Sequence, residues 1–178
     1  MSMRTIVVGV AGLAVSCLMA APASAQQMVT VKALLSGAYE VPAVSAGAHG
    51  AAVITVNRAT GEISWTIDVY NLPTGIVGGH IHAGAEGVNG PIIIGFPIAN
   101  VGQSGAFQLK GSARASELIV RPASGINSFD DAAFAIASGA AYVNLHTQAN
   151  PGGEIRGQLC PASAAANVFN GIALCTLP

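Results

Sequence analysis

Residues 52–69 read AVITVNRATGEISWTIDV, and this stretch predicts two β-strands joined by a turn. In the second arm Ile63, Trp65 and Ile67 alternate with polar side chains, which is the period of a strand with one buried face and one solvated face. The linking residues 57–62 are rich in turn formers and include a glycine. The stretch therefore predicts an antiparallel β-hairpin.

Similar short segments recur on both sides of this hairpin, separated by clusters of Gly, Pro and Asn. One helix is predicted near residues 128–139, with Ser128 as its N-cap and Gly139 as its stop. Short strands with frequent turns indicate an all-β domain, either a sandwich or a barrel, with one short helix. The further predicted strands cover residues 29–35, 79–82, 92–96, 105–110, 141–146 and 154–159.

The composition limits the classes of protein to which the chain can belong. Among 178 residues, Lys and Arg total 7 and Asp and Glu total 8, so the net charge is only −1. A protein that binds nucleic acid through its phosphates needs a basic patch, and this chain is too poor in cations to supply one. With 52% hydrophobic residues the chain is also unlike a disordered, highly charged polymer, and we expect one folded domain.

The first 25 residues differ in character from the rest. Arg4 precedes an almost wholly apolar run over residues 5–19, and the small residues 23–25 form a cleavage pattern. This arrangement predicts a secretory signal peptide over residues 1–25 and a periplasmic or secreted protein with no membrane span after cleavage. One alternative is a membrane anchor that is not cleaved, although the apolar run is shorter than the ~20 residues that a membrane-spanning helix needs. A second alternative is a lipoprotein attached at Cys17.

Two cysteines, Cys160 and Cys175, remain after cleavage of the predicted signal peptide. An even pair in an oxidising compartment predicts a disulfide that ties a C-terminal tail, residues 161–178, to a domain over residues 26–160. The bond would close a loop of roughly 16 residues and contribute ~3 kcal/mol on the chain-entropy model. The alternative is two buried free thiols.

The histidines carry the clearest chemical signal in the sequence. His80 and His82 lie two residues apart on a predicted strand, so both side chains point to the same face. If the strand that carries His146 lies beside them, the three imidazoles form a metal site. Imidazole suits Cu, Zn, Fe and Ni, with the highest affinity for Cu(II), so copper is predicted ahead of zinc. The alternative is that these three side chains only form hydrogen bonds that stiffen glycine-rich loops. The fourth histidine, His49, is either a loop residue or a fourth metal ligand.

Three motifs are similar to those of CHRD domains, the module named from chordin. Residues 35–42, LSGAYEVP, resemble the opening motif of that family, residues 80–92 its central motif and residues 142–159 its closing motif. The resemblance implies a compact β-sandwich. It also implies a protein partner, because in chordin the domain belongs to an extracellular signalling antagonist.

A fainter resemblance is to copper/zinc superoxide dismutases, which carry a His-x-His on a strand and later a His, a Gly-rich stretch and an Arg. It implies a Greek-key antiparallel β-sandwich of the superoxide dismutase type. It also implies that His80, His82 and His146 are copper ligands and that Arg156 is the catalytic residue that guides the anion. The sequence departs from that family because no histidine lies between His82 and His146, so the bridging ligand and the zinc cluster are missing.

These observations predict an exported CHRD-domain protein that binds a single copper ion, for copper handling or for redox chemistry of the superoxide dismutase type. One alternative is a metal-free extracytoplasmic interaction module. A second is a zinc hydrolase with a three-histidine site and either Glu86 or Glu154 as its base. The low charge and small side chains allow a homodimer or another protein partner.

Overall fold

A computed structural model describes residues 27–161, 167–169 and 172–174. It confirms the all-β prediction with one short helix, and every predicted strand is present. The predicted signal peptide and Cys175 lie outside the described residues, so export and the Cys160–Cys175 disulfide stay predictions. The elements are β1 Met28–Ser36, β2 His49–Asn57, β3 Glu62–Leu72, β4 Ile76–Ala83, β5 Ile92–Gly95, β6 Gly105–Arg114, α1 Phe129–Ala137, β7 Ala141–Thr147, β8 Ile155–Gln158, β9 Cys160–Pro161, β10 Asn167–Phe169 and β11 Ile172–Leu174.

The main strands form one continuous antiparallel path in the order β5-β4-β7-β8-β1-β2-β3-β6, with β9 paired to β1. Strands β10 and β11 pair only with each other. Beyond β6 the chain returns to the other end of the path, where the Ile119 amide donates to the Ile93 carbonyl at 2.9 Å. This contact nearly closes the sheet, so the alternating apolar faces of the strands meet in one core.

The hairpin of β2 and β3 supplies the centre of that core. Ile63, Trp65 and Ile67 are buried as the alternation predicts. The ring centroids of Trp65 and Phe96 are 4.6 Å apart, and Phe96 follows β5 at the far end of the path. Gly111 of β6 lies directly opposite Trp65 and leaves room for the indole. The aromatic pair thus packs β3, the second strand from one end of the path, against the segment that follows β5 at the other end.

The helix α1 begins and ends where its capping residues predict. Ser128 adopts an extended backbone and its hydroxyl accepts from the Asp131 amide at 3.2 Å. At the other end Gly139 has a φ of 80°, and the Ala140 amide donates to the Ala135 carbonyl at 2.9 Å, which completes a glycine C-cap. No helix in the described part of the chain has the length and apolar character needed to cross a membrane.

The contact between Gly111 and Trp65 predicts a steric cost for any side chain at position 111. A Cβ there would lie 2.6 Å from the nearest atom of the indole, which cannot move easily in a packed core. We expect Gly111→Ala to lower the free energy of unfolding by about 1–3 kcal/mol in urea denaturation. Gly95→Ala is the matched control, because a Cβ at Gly95 meets nothing within 4 Å. Equal stabilities of the two variants would contradict this packing.

Candidate metal centre

The candidate site lies on the face of β4, β7 and β8 that points away from the core. In the register of β4 and β7, His80 lies opposite Asn144, and Gly78 lies opposite His146. Residues directly opposite each other in an antiparallel pair share a face, so the three histidines converge. The alternate residues, such as Ile81 and Val143, are fully buried in the core. The predicted juxtaposition of His146 with the His-x-His pair is therefore present.

The three imidazoles form a compact cluster. One ligand atom of each histidine lies within 4.8 Å of the others. His80 Nδ1 and His146 Nε2 are 2.9 Å apart and hydrogen bonded. His82 and His146 are buried, whereas His80 is half-buried. Solvent therefore reaches the cluster from the side of His80.

Backbone carbonyls define which ring nitrogen of two histidines carries the proton. His82 Nδ1 lies 2.9 Å from the Gly90 carbonyl, and His146 Nδ1 lies 3.0 Å from the Pro151 carbonyl. Because a carbonyl only accepts, both Nδ1 atoms donate, and the lone pairs of these rings are on Nε2. His82 Nε2 is buried and has no hydrogen-bond partner among the described residues. Such an orphaned acceptor fits a cation ligand.

Burial keeps the cluster in the form that binds metals. Burial, together with the neighbouring His146 and His82, lowers the pKa of His80 to about 4. Burial also lowers the pKa of His82 and of His146 below the usual value for histidine. All three imidazoles are thus neutral at pH 7, as metal coordination requires.

Arg156 of β8 lies on the same polar face, opposite Asn144. Its side chain is 2% exposed, and its guanidinium lies 3.5 Å above the Tyr142 ring. The Tyr142 ring also stacks on His82, with centroids 4.8 Å apart. Arg156 donates to the carbonyls of Ala85 at 3.3 Å and Val88 at 2.8 Å. The catalytic role predicted for Arg156 stays a prediction.

Glu154, named above as a base for a zinc hydrolase, is fully buried just before β8. Its carboxylate accepts from the Thr147 hydroxyl and from the Asn150 side-chain amide, each at 2.7 Å. Among the described residues no ion pair joins Glu154 to Arg156, although the two lie two positions apart. Each of the two charges instead binds a separate loop.

His49 lies apart from the cluster. It begins β2, is exposed, and stacks on Tyr70 with ring centroids 5.4 Å apart. Its Nδ1 is 3.1 Å from the Gly47 carbonyl. In the part of the chain that the structure describes, the group able to hold a metal consists of His80, His82 and His146.

Glu40 follows β1 in the segment that covers the polar face, and it is not among the site residues that the sequence predicts. Its side chain is 7% exposed, and Oε2 accepts from the Asn144 side-chain amide at 3.4 Å. The carboxylate also lies against Gly153, where any Cβ would collide with it. Burial raises the pKa of Glu40 to about 7, although the nearby Arg156 opposes the shift. Only its place in the Glu-Val-Pro motif hinted at a role.

The fold and the cluster define an all-β domain with three converging histidines on a covered sheet face. The family model described as the CHRD domain matches residues 31–159, which is more than half of the chain. The chain therefore belongs to the CHRD domain family, as its motifs predict. Searches of curated proteins and of solved structures found no match.

The environment of Glu40 predicts a specific dependence of stability on pH. Its pKa is higher in the folded protein than the usual 4.5, so its contribution to stability is complete below pH 4.5 and is lost as the pH rises through about 7. We expect Glu40→Gln to become more stable relative to wild type between pH 4.5 and 8, by up to about 3 kcal/mol.

Urea denaturation of both metal-free proteins across this pH range measures the difference. The histidines are common to both proteins, so their own titration cancels. A difference that does not change with pH would show that the Glu40 carboxyl titrates normally.

Proposed function

We propose that this chain is an exported CHRD-domain protein that binds one copper ion through His80, His82 and His146. The observation that carries the proposal is the buried, unpartnered Nε2 of His82 beside two further neutral imidazoles. Burying a polar atom without a partner costs free energy, and a cation bound by the cluster would remove that cost.

The donor set favours copper over the other metals that histidine binds. Three imidazoles without a thiolate or carboxylate suit Cu(II) and Zn(II), and Cu(II) has the higher intrinsic affinity. His80 Nδ1 already lies at hydrogen-bond distance from His146 Nε2, so a cation would replace the proton that these two nitrogens share. His80 would then bind through Nδ1 and the other two rings through Nε2.

The role of such an ion would be copper handling or redox chemistry, with superoxide dismutation as the most specific version. The similarity of His80, His82 and His146 to the dismutase copper ligands supports it. The partial exposure of His80 supports it too, because a small molecule from solvent can reach the cluster there. The pattern of residues 1–25 and the CHRD family support a location outside the cytoplasm.

A second candidate function, a metal-free interaction module, is favoured by the family match itself. In this case the histidines would serve to hold the loops, through the bonds of His82 to Gly90 and of His146 to Pro151. Metal binding separates the two functions, because the interaction module needs no ion.

The test is a metal titration of protein purified without a histidine tag from the periplasm. We expect one copper per chain by elemental analysis and an electron paramagnetic resonance spectrum with nitrogen couplings, because three imidazoles surround the ion. The double variant His80→Ala/His82→Ala should lose this copper. His49→Ala is the matched control and should keep it, since His49 lies outside the cluster.

Wild-type protein that takes up neither Cu(II) nor Zn(II), or a double variant that binds copper as wild type does, would refute the site. Zinc uptake in preference to copper would refute the choice of metal. Copper uptake followed by a superoxide assay then tests the dismutase version, with His49→Ala again as the reference.

A further inference from the structure

Two buried charges on the polar face, Glu154 and Arg156, are not used by the three-histidine cluster itself. Their side chains are 0% and 2% exposed. Among the described residues neither forms a hydrogen bond to a histidine, and they do not pair with each other. Burying an ionised group is costly unless it is compensated, so the hydrogen-bond partners of these two side chains indicate why they are buried.

The partners of Arg156 belong to the loop between β4 and β5, which contains Gly90. The guanidinium donates to the Asn89 side-chain oxygen at 3.1 Å and to the Val88 carbonyl at 2.8 Å. The next residue, Gly90, supplies the carbonyl that accepts from His82 Nδ1 at 2.9 Å. Arg156 thus holds the segment that fixes the protonated nitrogen of His82.

The partners of Glu154 lie at the end of β7 and in the turn that follows it. The carboxylate accepts from the hydroxyl of Thr147, the last residue of β7, and from the side chain of Asn150 in the turn. The next residue, Pro151, supplies the carbonyl that accepts from His146 Nδ1 at 3.0 Å. Glu154 thus holds the turn whose Pro151 carbonyl fixes the protonated nitrogen of His146, as Arg156 holds the loop for His82.

We propose that Glu154 and Arg156 are positioning residues, each of which fixes one loop carbonyl and through it the tautomer of one histidine. This assignment rests on the proposed metal function. The signs of the charges agree with it: the cation binds oxygens that only accept, and the anion binds a hydroxyl and an amide that donate. Groups behind a ligating histidine orient its ring and place the free lone pair on the other nitrogen.

Nuclear magnetic resonance of the metal-free protein provides the first test, because long-range proton–nitrogen correlations report the tautomer of each histidine. In wild type we expect the Nδ1–H form for His82 and His146. Arg156→Gln should allow the other tautomer at His82 and leave His146 unchanged. Glu154→Leu, which removes the oxygen that accepts from both Thr147 and Asn150, should do the reverse. A general loss of stability would not produce this crossed pattern. Arg58→Gln, which breaks an exposed pair with Asp130, is the matched control.

Copper titration provides the second test. Each of the two variants should lose about 10–100-fold in copper affinity, as is typical when a group behind a metal ligand is removed. Arg156→Lys should resemble Arg156→Gln, because an ammonium cannot reach several oxygens in the fixed geometry of a guanidinium. If Arg156 instead guides anions, Arg156→Gln keeps the tautomers and the copper affinity and loses only azide binding, which would overturn the proposal.

The two tests also separate this inference from the metal function. If wild type binds no copper but the crossed tautomer pattern is found, positioning stands and metal binding fails. If Arg156→Gln or Glu154→Leu does not fold, Asn89→Ala and Asn150→Ala decide, because each removes one side-chain contact of the charged residue. Asn89→Ala also removes the hydrogen bond from Asn89 to the Val41 carbonyl. Tautomers equal to those of Arg58→Gln in all folded variants would overturn the proposal.

Discussion

The antiparallel register between β4 and β7 is the constraint on which the candidate site depends. It sets Gly78 opposite His146 and His80 opposite Asn144. Because side chains alternate between faces, a slip of one residue would turn His146 into the core and away from His80 and His82. The apolar residues between them, such as Ile81 and Val143, hold the register because they are fully buried on the opposite face.

A second feature follows from covering that polar face. Every residue of β7 is buried, so this strand has a core on one side and a polar layer on the other. The polar layer contains ionisable groups that would be costly to bury alone, and loop carbonyls and amides compensate them. The same hydrogen bonds order the loops that carry Gly90 and Pro151. The loops that compensate the buried charges are therefore the same loops whose carbonyls accept from His82 and His146.

Burial also gives the site its electrostatic character. Removing water lowers the pKa of the three histidines and raises the pKa of Glu40, because in both cases the charged form loses solvation. At neutral pH the layer therefore holds neutral imidazoles. Oε1 of Glu40 and Oδ1 of Asn144 are buried there and have no hydrogen-bond partner among the described residues.

The sequence by itself determined the strands, the helix with its Ser128 and Gly139 caps, and the shared face of His80 and His82. These features depend on local periodicity and turn chemistry, which residues close in the chain specify. The resemblance to copper/zinc superoxide dismutases added the grouping of these histidines with His146 as an expectation, but no local signal revealed that Glu40 is buried.

Only the tertiary structure decided which groups surround the histidines. Arg156 meets Asn89 across 67 positions, and Asn144 meets Glu40 across 104. Glu154 and Arg156 are close in sequence and of opposite charge, which favours a pair between them, yet each binds a different loop. The physical reason is that a buried charge is compensated by whichever donors or acceptors the folded chain brings to it, and that depends on strand order and register.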